Sequence, residues 1–195
     1  MQSVEQILAV VRLAERLKCT LRHSWLSDGR HESVAEHSWR MSLMALLVAP
    51  HLNVKVDVER LLKTVIVHDL VEAIAGDGPV FDFIDDGAAR ARKIQMEEDA
   101  MKQIVNMLPD INGAEVEQLW QEFENASTDE ARVAKALDKL EAQMQHNEAS
   151  IATWLDVEKT LMPSLEAYTS FDTVLDRIRV IAVDEATTKI ANAEA

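Results

Sequence analysis

The chain has 195 residues, of which 48% are hydrophobic and 28% charged, a balance that suits one domain with a continuous core. Its 34 acidic residues outnumber the 20 basic ones and leave a net charge of −14. This excess argues against binding to a nucleic acid polymer or a membrane surface, because both are recognised through lysine and arginine patches. The single Cys19, the lack of a basic and apolar leader, and the lack of an apolar run long enough to cross a bilayer predict a cytoplasmic protein.

With only five glycines and four prolines, the chain is expected to consist of helices joined by short turns. The first helix is predicted over residues 3–18, with Ser3 as its cap and an apolar stripe that begins at Ile7. Residues 19–32 show no regular period and are rich in Arg, His and Trp. They predict a loop that either carries functional side chains or is a surface connection with Trp25 in the core.

A capping-box pattern at Ser33 and Glu36 predicts the start of the second helix, which Pro50 ends. His37 lies in the first turn of this helix, on the apolar face that contains Met41 and must point inward. Taken alone, a histidine in this position is more often a core residue bonded to a carbonyl group than a metal ligand.

The third helix is predicted from a cap at Asp57 to a stop at Gly76, with Asp77 just beyond it. It carries three ionisable residues within an apolar segment, namely His68, Asp69 and Glu72. Burying an unpaired polar group costs about 2–7 kcal/mol, so these side chains need a partner or a metal ion. Because they are four residues apart on a helix, His68 and Glu72 are expected to share a face.

The rest of the chain is predicted to be helical. Phe81, Phe83 and Ile84 indicate a loop anchored to the body of the protein. An amphipathic helix with Ile94 among its inward residues follows over residues 87–108, then a short helix from Asn112 and a long helix from Thr128. The C-terminal third predicts further helices without a polar cluster.

Asp138 lies in the middle of this long helix, beside Leu137 and Leu140, where an aspartate has poor helix propensity and poor solvation. When Asp138 is considered alone, a salt bridge to Lys135 or Lys139 is the simpler explanation.

Considered together, three predicted helices bring ionisable side chains to an apolar inner face. These side chains are His37, His68 with Asp69, and Asp138. Two imidazoles and two carboxylates form a four-ligand set that leaves positions for water and substrate, as in catalytic metal sites. The chain has no histidine between His68 and His146, so we expect one metal ion, which this ligand set allows to be Mn, Co, Zn, Fe or Ni.

The order of these residues on a chain predicted to be all-helical resembles the HD-domain metal-dependent phosphohydrolases, and among them the 5′-deoxynucleotidase branch. Four blocks within residues 22–141 carry the resemblance, with Leu21 directly upstream: Arg22, Glu32 to His37, Val67-His68-Asp69 with Glu72 and Gly76-Asp77, and Ala136 to Glu141. The resemblance implies a single all-α HD-domain helical bundle over residues 1–195. Its metal-site core lies roughly over residues 20–145, and additional C-terminal helices over 150–190 pack on that core or at a dimer interface.

The resemblance also implies roles for individual residues. It makes four residues the metal ligands: His37, His68, Asp69 and Asp138. It implies Glu72 as the catalytic carboxylate that positions or activates water, Asp77 as a further active-site residue near the substrate, and Arg22 as a phosphate contact. Members that prefer deoxyribose carry a Trp directly after the Arg, where this chain has His23, whereas Trp25 matches the Arg-x-x-Trp pattern of another branch. Whether His23 or Trp25 faces the sugar stays open.

The sequence therefore predicts a metal-dependent phosphomonoesterase that hydrolyses (2′-deoxy)nucleoside 5′-monophosphates to nucleoside and phosphate, in the form of a homodimer. Glu72 is the expected base and Asp77 the expected proton donor, although the sequence does not decide between these two parts. An HD-type phosphohydrolase that acts on nucleoside triphosphates, or on cyclic or oligomeric nucleotides, is the nearest alternative. A non-catalytic nucleotide-binding helical regulator is a second alternative, against which the presence of Glu72, Asp77 and Arg22 argues.

Overall fold

The computed structural model describes residues 2–78 and 86–194. Within these ranges the chain forms α-helices and one short antiparallel hairpin, which confirms the predicted all-α class. The predicted loop at Phe81, Phe83 and Ile84 lies outside the described residues. The elements in chain order are α1 (Gln2–Leu13), β1 (Leu21–Trp25), β2 (His31–Ser33), α2 (Val34–Val48), α3 (Val58–Val67), α4 (Glu72–Ala75), α5 (Gly87–Met107), α6 (Asp110–Asn125), α7 (Asp129–Glu148), α8 (Asp156–Leu161), α9 (Glu166–Thr169) and α10 (Thr173–Glu194). None of the helices in the described ranges combines the length and the hydropathy that crossing a membrane requires.

The first helix is shorter than predicted, since α1 ends at Leu13 and a 3-10 helix over Ala14–Lys18 follows it. Ser3 lies inside α1 rather than at its cap. Of the predicted apolar stripe, Val10 is buried but Ile7 is exposed.

The segment predicted as an irregular loop instead forms a β-hairpin. β1 pairs antiparallel with β2, in a register that places Leu21 opposite Ser33 and Trp25 opposite His31. Gly29, with a φ of +87°, provides the positive φ in the connection between the strands. The sequence pattern did not reveal this hairpin because the strands are short and an irregular register breaks the alternation of side chains.

The main core is formed where α2, α3 and α7 pack together, with a contribution from α10. Its fully buried side chains include Met41, Leu61, Val65, Leu137, Leu140 and Leu175. α2 starts with the predicted capping box, in which Ser33 and Glu36 exchange hydrogen bonds between side chain and backbone. His37 precedes Met41 by about one turn, and His68 directly follows the end of α3, so both histidines border this core.

The third helix does not run continuously to Gly76 as predicted. α3 ends at Val67, a stretch of turns follows, and α4 begins at Glu72. In this stretch Leu70 N–H donates to Val67 O and Glu72 N–H donates to Asp69 O, which are tighter connections than those of an α-helix. Gly76, with a φ of +78°, ends α4 where the sequence predicted the stop.

α5 has the predicted extent to within one residue, and its predicted inward residues Met101, Ile104 and Leu108 are buried, but the first half of its inward face differs from the prediction. Ile94, expected to point inward, is 48% exposed, while Lys93 and Glu97 are partly buried. α6 begins at Asp110 rather than Asn112 and is 16 residues long rather than short.

The C-terminal helices make polar contacts that the sequence did not indicate. The Asp172 side chain is buried, and its carboxylate accepts hydrogen bonds from the backbone N–H groups of Asn53 (2.6 Å), Val54 (3.0 Å) and Val174 (2.9 Å). These bonds join the start of α10 to the loop before α3. Burial alone would raise the pKa of Asp172, but the backbone donors outweigh burial and hold the pKa below its usual value.

Asp172→Ala is expected to lower the free energy of unfolding by about 1–3 kcal/mol, because it leaves buried N–H groups without an acceptor. Asp184→Ala, on an exposed position of the same helix, is the matched control and should leave the unfolding midpoint unchanged. Denaturation in urea measures both variants. Since the folded-state pKa of Asp172 is lowered, its contribution is present at neutral pH and is lost as the pH falls through that lowered pKa. Equal midpoints for the two variants would show that the Asp172 carboxylate does not stabilise the fold.

Candidate active site

Side chains from α2, α7 and the turn after α3 converge at one end of the main core. His37 Nε2 lies 3.8 Å from Asp69 Oδ2, and His68 Nε2 lies 3.0 Å from the same oxygen. Asp138 Oδ1 lies 3.3 Å from His37 Nε2. Nitrogen and oxygen atoms of His37, His68 and Asp69 all lie within 4.8 Å of one another, close enough to hold one metal ion. The structure therefore brings together the four side chains that the sequence predicted as ligands.

In both imidazole rings Nδ1 already contacts another group of the protein, which leaves Nε2 to face the cluster. His68 Nδ1 lies 2.7 Å from the carbonyl oxygen of Val65, and because a carbonyl only accepts, Nδ1 carries a hydrogen. A neutral His68 ring then presents the lone pair of Nε2 to Asp69 Oδ2. His37 is arranged in the same way, with Nδ1 against the carboxylate of Glu141. Both Nε2 atoms are buried without a hydrogen-bond partner among the described residues, so the donor set fits a cation.

The cluster attracts positive charge. Burial and the Arg22 charge alone would lower the pKa of His37, but Asp138 and Glu141 raise it to about 9. Burial would raise the pKa of Asp69, but the neighbouring histidines and Arg22 hold it below its usual value. Because a proton and a metal ion are attracted by the same carboxylates, binding of a metal ion here would release protons.

Asp138 uses its two oxygens for different partners. Oδ2 pairs with Lys139 Nζ at 2.9 Å. This is the salt bridge that the sequence suggested as the simpler explanation for Asp138. The other oxygen, Oδ1, faces His37. The salt bridge and a place in the cluster are therefore compatible, because a carboxylate offers four lone-pair positions on two oxygens.

Glu141 belongs to the site although the sequence alone gave it no role. It is fully buried, its Oε2 contacts His37 Nδ1, and its Oε1 accepts a hydrogen bond of 2.6 Å from Arg40 Nε. A carboxylate on the second nitrogen of a ligating histidine fixes the ring orientation and raises the basicity of the first nitrogen. The sequence position of Glu141 could have indicated that it lies near the site. Glu141 follows Asp138 by three residues, so the two side chains share one face of α7.

Arg22 reaches the site from β1. Its Nε lies 3.3 Å from Glu32 Oε2, and its Nη1 lies 3.7 Å from Asp69 Oδ2. Glu32 is buried and was also without a predicted role. Burial, followed by the charge of Glu141, raises the pKa of Glu32 to about 7. The pairing with Glu32 holds the guanidinium beside Asp69.

A second group of side chains is also close enough to hold a metal ion, namely Glu32, His37 and Glu141. Its two carboxylates already face guanidinium groups, since Arg22 lies beside Glu32 and Arg40 is bonded to Glu141. Two positive charges at these positions would repel a cation. In this second group His37 Nδ1 is also taken by Glu141, whereas the group that contains Asp69 has two Nε2 atoms without a hydrogen-bond partner among the described residues. The group that contains Asp69 is therefore the better cation site, even though Arg22 Nη1 also lies 3.7 Å from Asp69 Oδ2.

Glu72 and Asp77 lie at the two ends of α4. Glu72 is 6% exposed, and its Oε2 has no hydrogen-bond partner among the residues that the structure describes. Burial, followed by the charges of Asp69 and Asp77, raises the pKa of Glu72 to about 10, and burial also raises the pKa of Asp77. The positive charge of a divalent cation at Asp69 would oppose this rise in the pKa of Glu72. The two carboxyl groups are thus placed to hold or release a proton beside the cluster.

The two residues predicted to border a sugar contact other elements. His23 Nε2 and His146 Nε2 each lie 3.2 Å from Glu158 Oε1, which ties β1 to α7 and α8. The Trp25 ring packs on His31, with ring centroids 3.9 Å apart. The contact with Glu158 corrects the expectation that the C-terminal third takes part in no polar cluster.

Comparisons with known proteins agree with this geometry. A family model described as HD domain matches residues 14–178. The chain is 36% identical over 148 residues to 5′-deoxynucleotidase HDDC2 of Danio rerio, a match that covers 74% of this chain and 70% of that protein. The protein of the same name from Homo sapiens is 35% identical over 144 residues, which cover 73% of this chain and 67% of that protein. The crystal structure of a predicted metal-dependent phosphohydrolase from Magnetospirillum magnetotacticum MS-1 has a TM-score of 0.80 and 31% identity, and the match covers 97% of both chains. These matches confirm the resemblance carried by the four sequence blocks.

Glu141→Gln is expected to weaken the binding of a divalent cation about 10- to 100-fold, because the neutral amide no longer supports His37 as a charged acceptor does. Glu148→Gln is the matched control, since it removes the other carboxylate bound by Arg40, at an exposed position of the same helix. Calorimetric titration with Mn²⁺ or Co²⁺ measures the affinities, and circular dichroism verifies folding. Equal affinities in the two variants would show that Glu141 serves only to neutralise Arg40.

Proposed function

Because the chain belongs to the HD-domain family, we propose that it is a metal-dependent phosphomonoesterase that hydrolyses 2′-deoxynucleoside 5′-monophosphates to nucleoside and phosphate. The names of the curated relatives support this reaction and this substrate class. The observation that carries the proposal is the approach of two buried imidazole nitrogens, His37 Nε2 and His68 Nε2, to one oxygen of Asp69. Arg22 and Glu72, beside this cluster, add a phosphate-binding group and a proton-transfer group.

In this proposal four residues hold one divalent cation, drawn from Mn, Co, Zn, Fe and Ni: His37, His68, Asp69 and Asp138. The bonded Nδ1 atoms support this assignment, because they leave each Nε2 as the ligand atom. When bound, the cation would polarise the phosphoryl group and favour deprotonation of water.

The side chains of the chain itself provide binding and proton transfer. Arg22, held by Glu32, binds two phosphate oxygens with its planar guanidinium. Glu72 accepts a proton from the water that attacks phosphorus, and Asp77 donates a proton to the 5′-oxygen as its bond to phosphorus breaks. Burial raises the pKa of both Glu72 and Asp77, so either group can hold a proton, and we assign the base to Glu72 because its backbone N–H is bonded to Asp69 O beside the proposed cation. A cation held by Asp69 would lower the pKa of Glu72 towards the range of a base.

We assign His23 and Trp25 to the sugar side of the substrate, because they occupy the two positions after Arg22 at which the family patterns carry a Trp. The contacts of His23 with Glu158 and of Trp25 with His31 support this assignment, since they hold both rings in fixed positions. Rings held rigidly beside the sugar discriminate against a ribose by excluding its 2′-hydroxyl group sterically.

We further propose that the protein is a single HD domain over residues 1–195, that it acts in the cytoplasm, and that it forms a homodimer. Its single free cysteine, Cys19, supports a reducing compartment. The exposed side chains of Trp39, Leu46 and Leu47 on α2 support association, because contiguous apolar surface of this kind favours burial against a partner.

Phosphate release by the metal-reconstituted protein tests the proposed reaction. We expect faster hydrolysis of dAMP and dTMP than of AMP, and no metal binding or phosphate release by Asp69→Asn, which lacks a proposed ligand. Preferred hydrolysis of dGTP or of a cyclic dinucleotide would assign the alternative HD-type activity. Nucleotide binding without any phosphate release would assign the non-catalytic regulator.

Glu72→Gln is expected to keep its divalent cation while kcat falls about 10²- to 10⁴-fold, because the amide has the shape of the carboxyl group but does not accept the proton. Metal content by elemental analysis and steady-state kinetics with dAMP measure the two effects. A wild-type kcat in this variant would move the role of base to Asp77.

A further inference from the structure

The first half of α5 reverses the usual arrangement of an amphipathic helix. Between residues 86 and 99 every side chain is exposed except three that are partly buried, at Ala89, Lys93 and Glu97. Ile94 is 48% exposed on the outside of the same helix. Since a surface helix normally turns its apolar residues inward, a charged pair in the covered positions requires a specific reason.

This charged pair continues the face of α5 that packs against the candidate site. Ala100, about one turn after Glu97, is buried in the same cluster as Val67 and Val71, which flank the turn between α3 and α4. Lys93 lies one turn before Glu97, and its Nζ contacts the Glu97 carboxylate. The Glu97 side chain is 13% exposed and that of Lys93 is 29% exposed, so both are largely withdrawn from bulk solvent on the face of α5 that packs beside Val67 and Val71.

The charge of Lys93 acts on the proposed proton-transfer groups. Burial, followed by Asp69 and Asp77, raises the pKa of Glu72, and the positive charges of Arg22 and Lys93 act in the opposite direction. The same two cations oppose the effect of burial on the pKa of Asp77. Together with the packing of α5 beside Val67 and Val71, this effect puts the positive charge of Lys93 on the α5 side of the two carboxyl groups, while Arg22 lies on the β1 side.

The charge of the proposed substrate favours a second cationic side chain, besides Arg22, on the α5 side of the site. A phosphate monoester brings a charge of about −2 into a site that already holds six carboxyl groups, those of Asp69, Asp138, Glu32, Glu141, Glu72 and Asp77. The chain as a whole carries a net charge of −14, so its surface does not attract such an anion. A lysine ammonium is a compact, mobile point charge that suits phosphate oxygens.

We propose that Lys93 is a second cationic contact for the substrate phosphate, which it reaches from α5 while Arg22 reaches it from β1, and that Glu97 is the residue that positions Lys93. Nζ has three N–H donors, and a bond to Glu97 leaves two for phosphate oxygens. The inference rests on the proposed function, because it names a contact of the same site. The alternative is an ordinary ion pair between residues four apart on a helix.

Lys93→Met should weaken the binding of inorganic phosphate to the metal-loaded protein about 10- to 100-fold, as expected for the loss of a charged hydrogen bond. KM for dAMP should rise by a similar factor, while the affinity for the metal ion stays unchanged. Lys102→Met is the matched control, because Lys102 pairs with Asp99 on the exposed side of the same helix and should change neither quantity. Lys93→Arg should restore most of the phosphate affinity, and Glu97→Gln should reduce it by a smaller factor than Lys93→Met.

The comparison of phosphate affinity between Lys93→Met and Lys102→Met tests whether Lys93 contacts the phosphate. Equal phosphate affinities for Lys93→Met and Lys102→Met would overturn it and leave Lys93 as a helix ion pair. If the wild-type protein hydrolyses no nucleotide but binds inorganic phosphate in a manner that depends on Lys93, the proposed reaction fails and the Lys93 contact stands. If the metal-loaded wild-type protein binds no phosphate, the Lys93 contact is overturned as well.

Discussion

The burial of two imidazole rings among carboxylates is the constraint on which this site depends. Each ring has one nitrogen satisfied by the protein, His68 by the carbonyl of Val65 and His37 by Glu141, and the remaining nitrogens face Asp69. Without a positive charge, these buried acceptors would repel one another. A proton on His37 relieves that repulsion, and so does a divalent cation. The same feature that is costly for folding therefore provides the affinity for the cation.

The sequence predicted which side chains come together at the site better than it predicted the backbone conformation around them. The four proposed ligands and Arg22 were found from charged residues placed in apolar stripes and from the resemblance of four blocks, and the structure brings them together. Glu32 and Glu141 were left without roles, because a pattern of hydrophobicity does not show which buried carboxylate supports which neighbour. Only the packing of α2 against α7 and of β1 against β2 makes those partners visible.

The errors in secondary structure have local causes. The hairpin was missed because its side chains do not alternate regularly over two short strands. Ile94 was wrongly included in the inward face of α5 because apolar periodicity takes every apolar residue as a core residue. In the hairpin the pattern failed where Arg22 is directed towards the site, and in α5 it failed where a charged pair takes the covered positions. Such conflicts between local pattern and global fold are expected at functional positions.

The break between α3 and α4 explains how two consecutive residues contribute to one cluster. On a continuous helix, His68 and Asp69 would point roughly 100° apart. The helix instead ends at Val67, and the hydrogen bond from Glu72 N–H to Asp69 O closes a tighter turn. Asp69 Oδ2 then lies 3.0 Å from His68 Nε2, and Glu72 opens the next helical turn beside it. In the proposed site, a His-Asp pair followed three residues later by a glutamate would therefore contribute two ligands and a proton-transfer group from a helix that is interrupted between them.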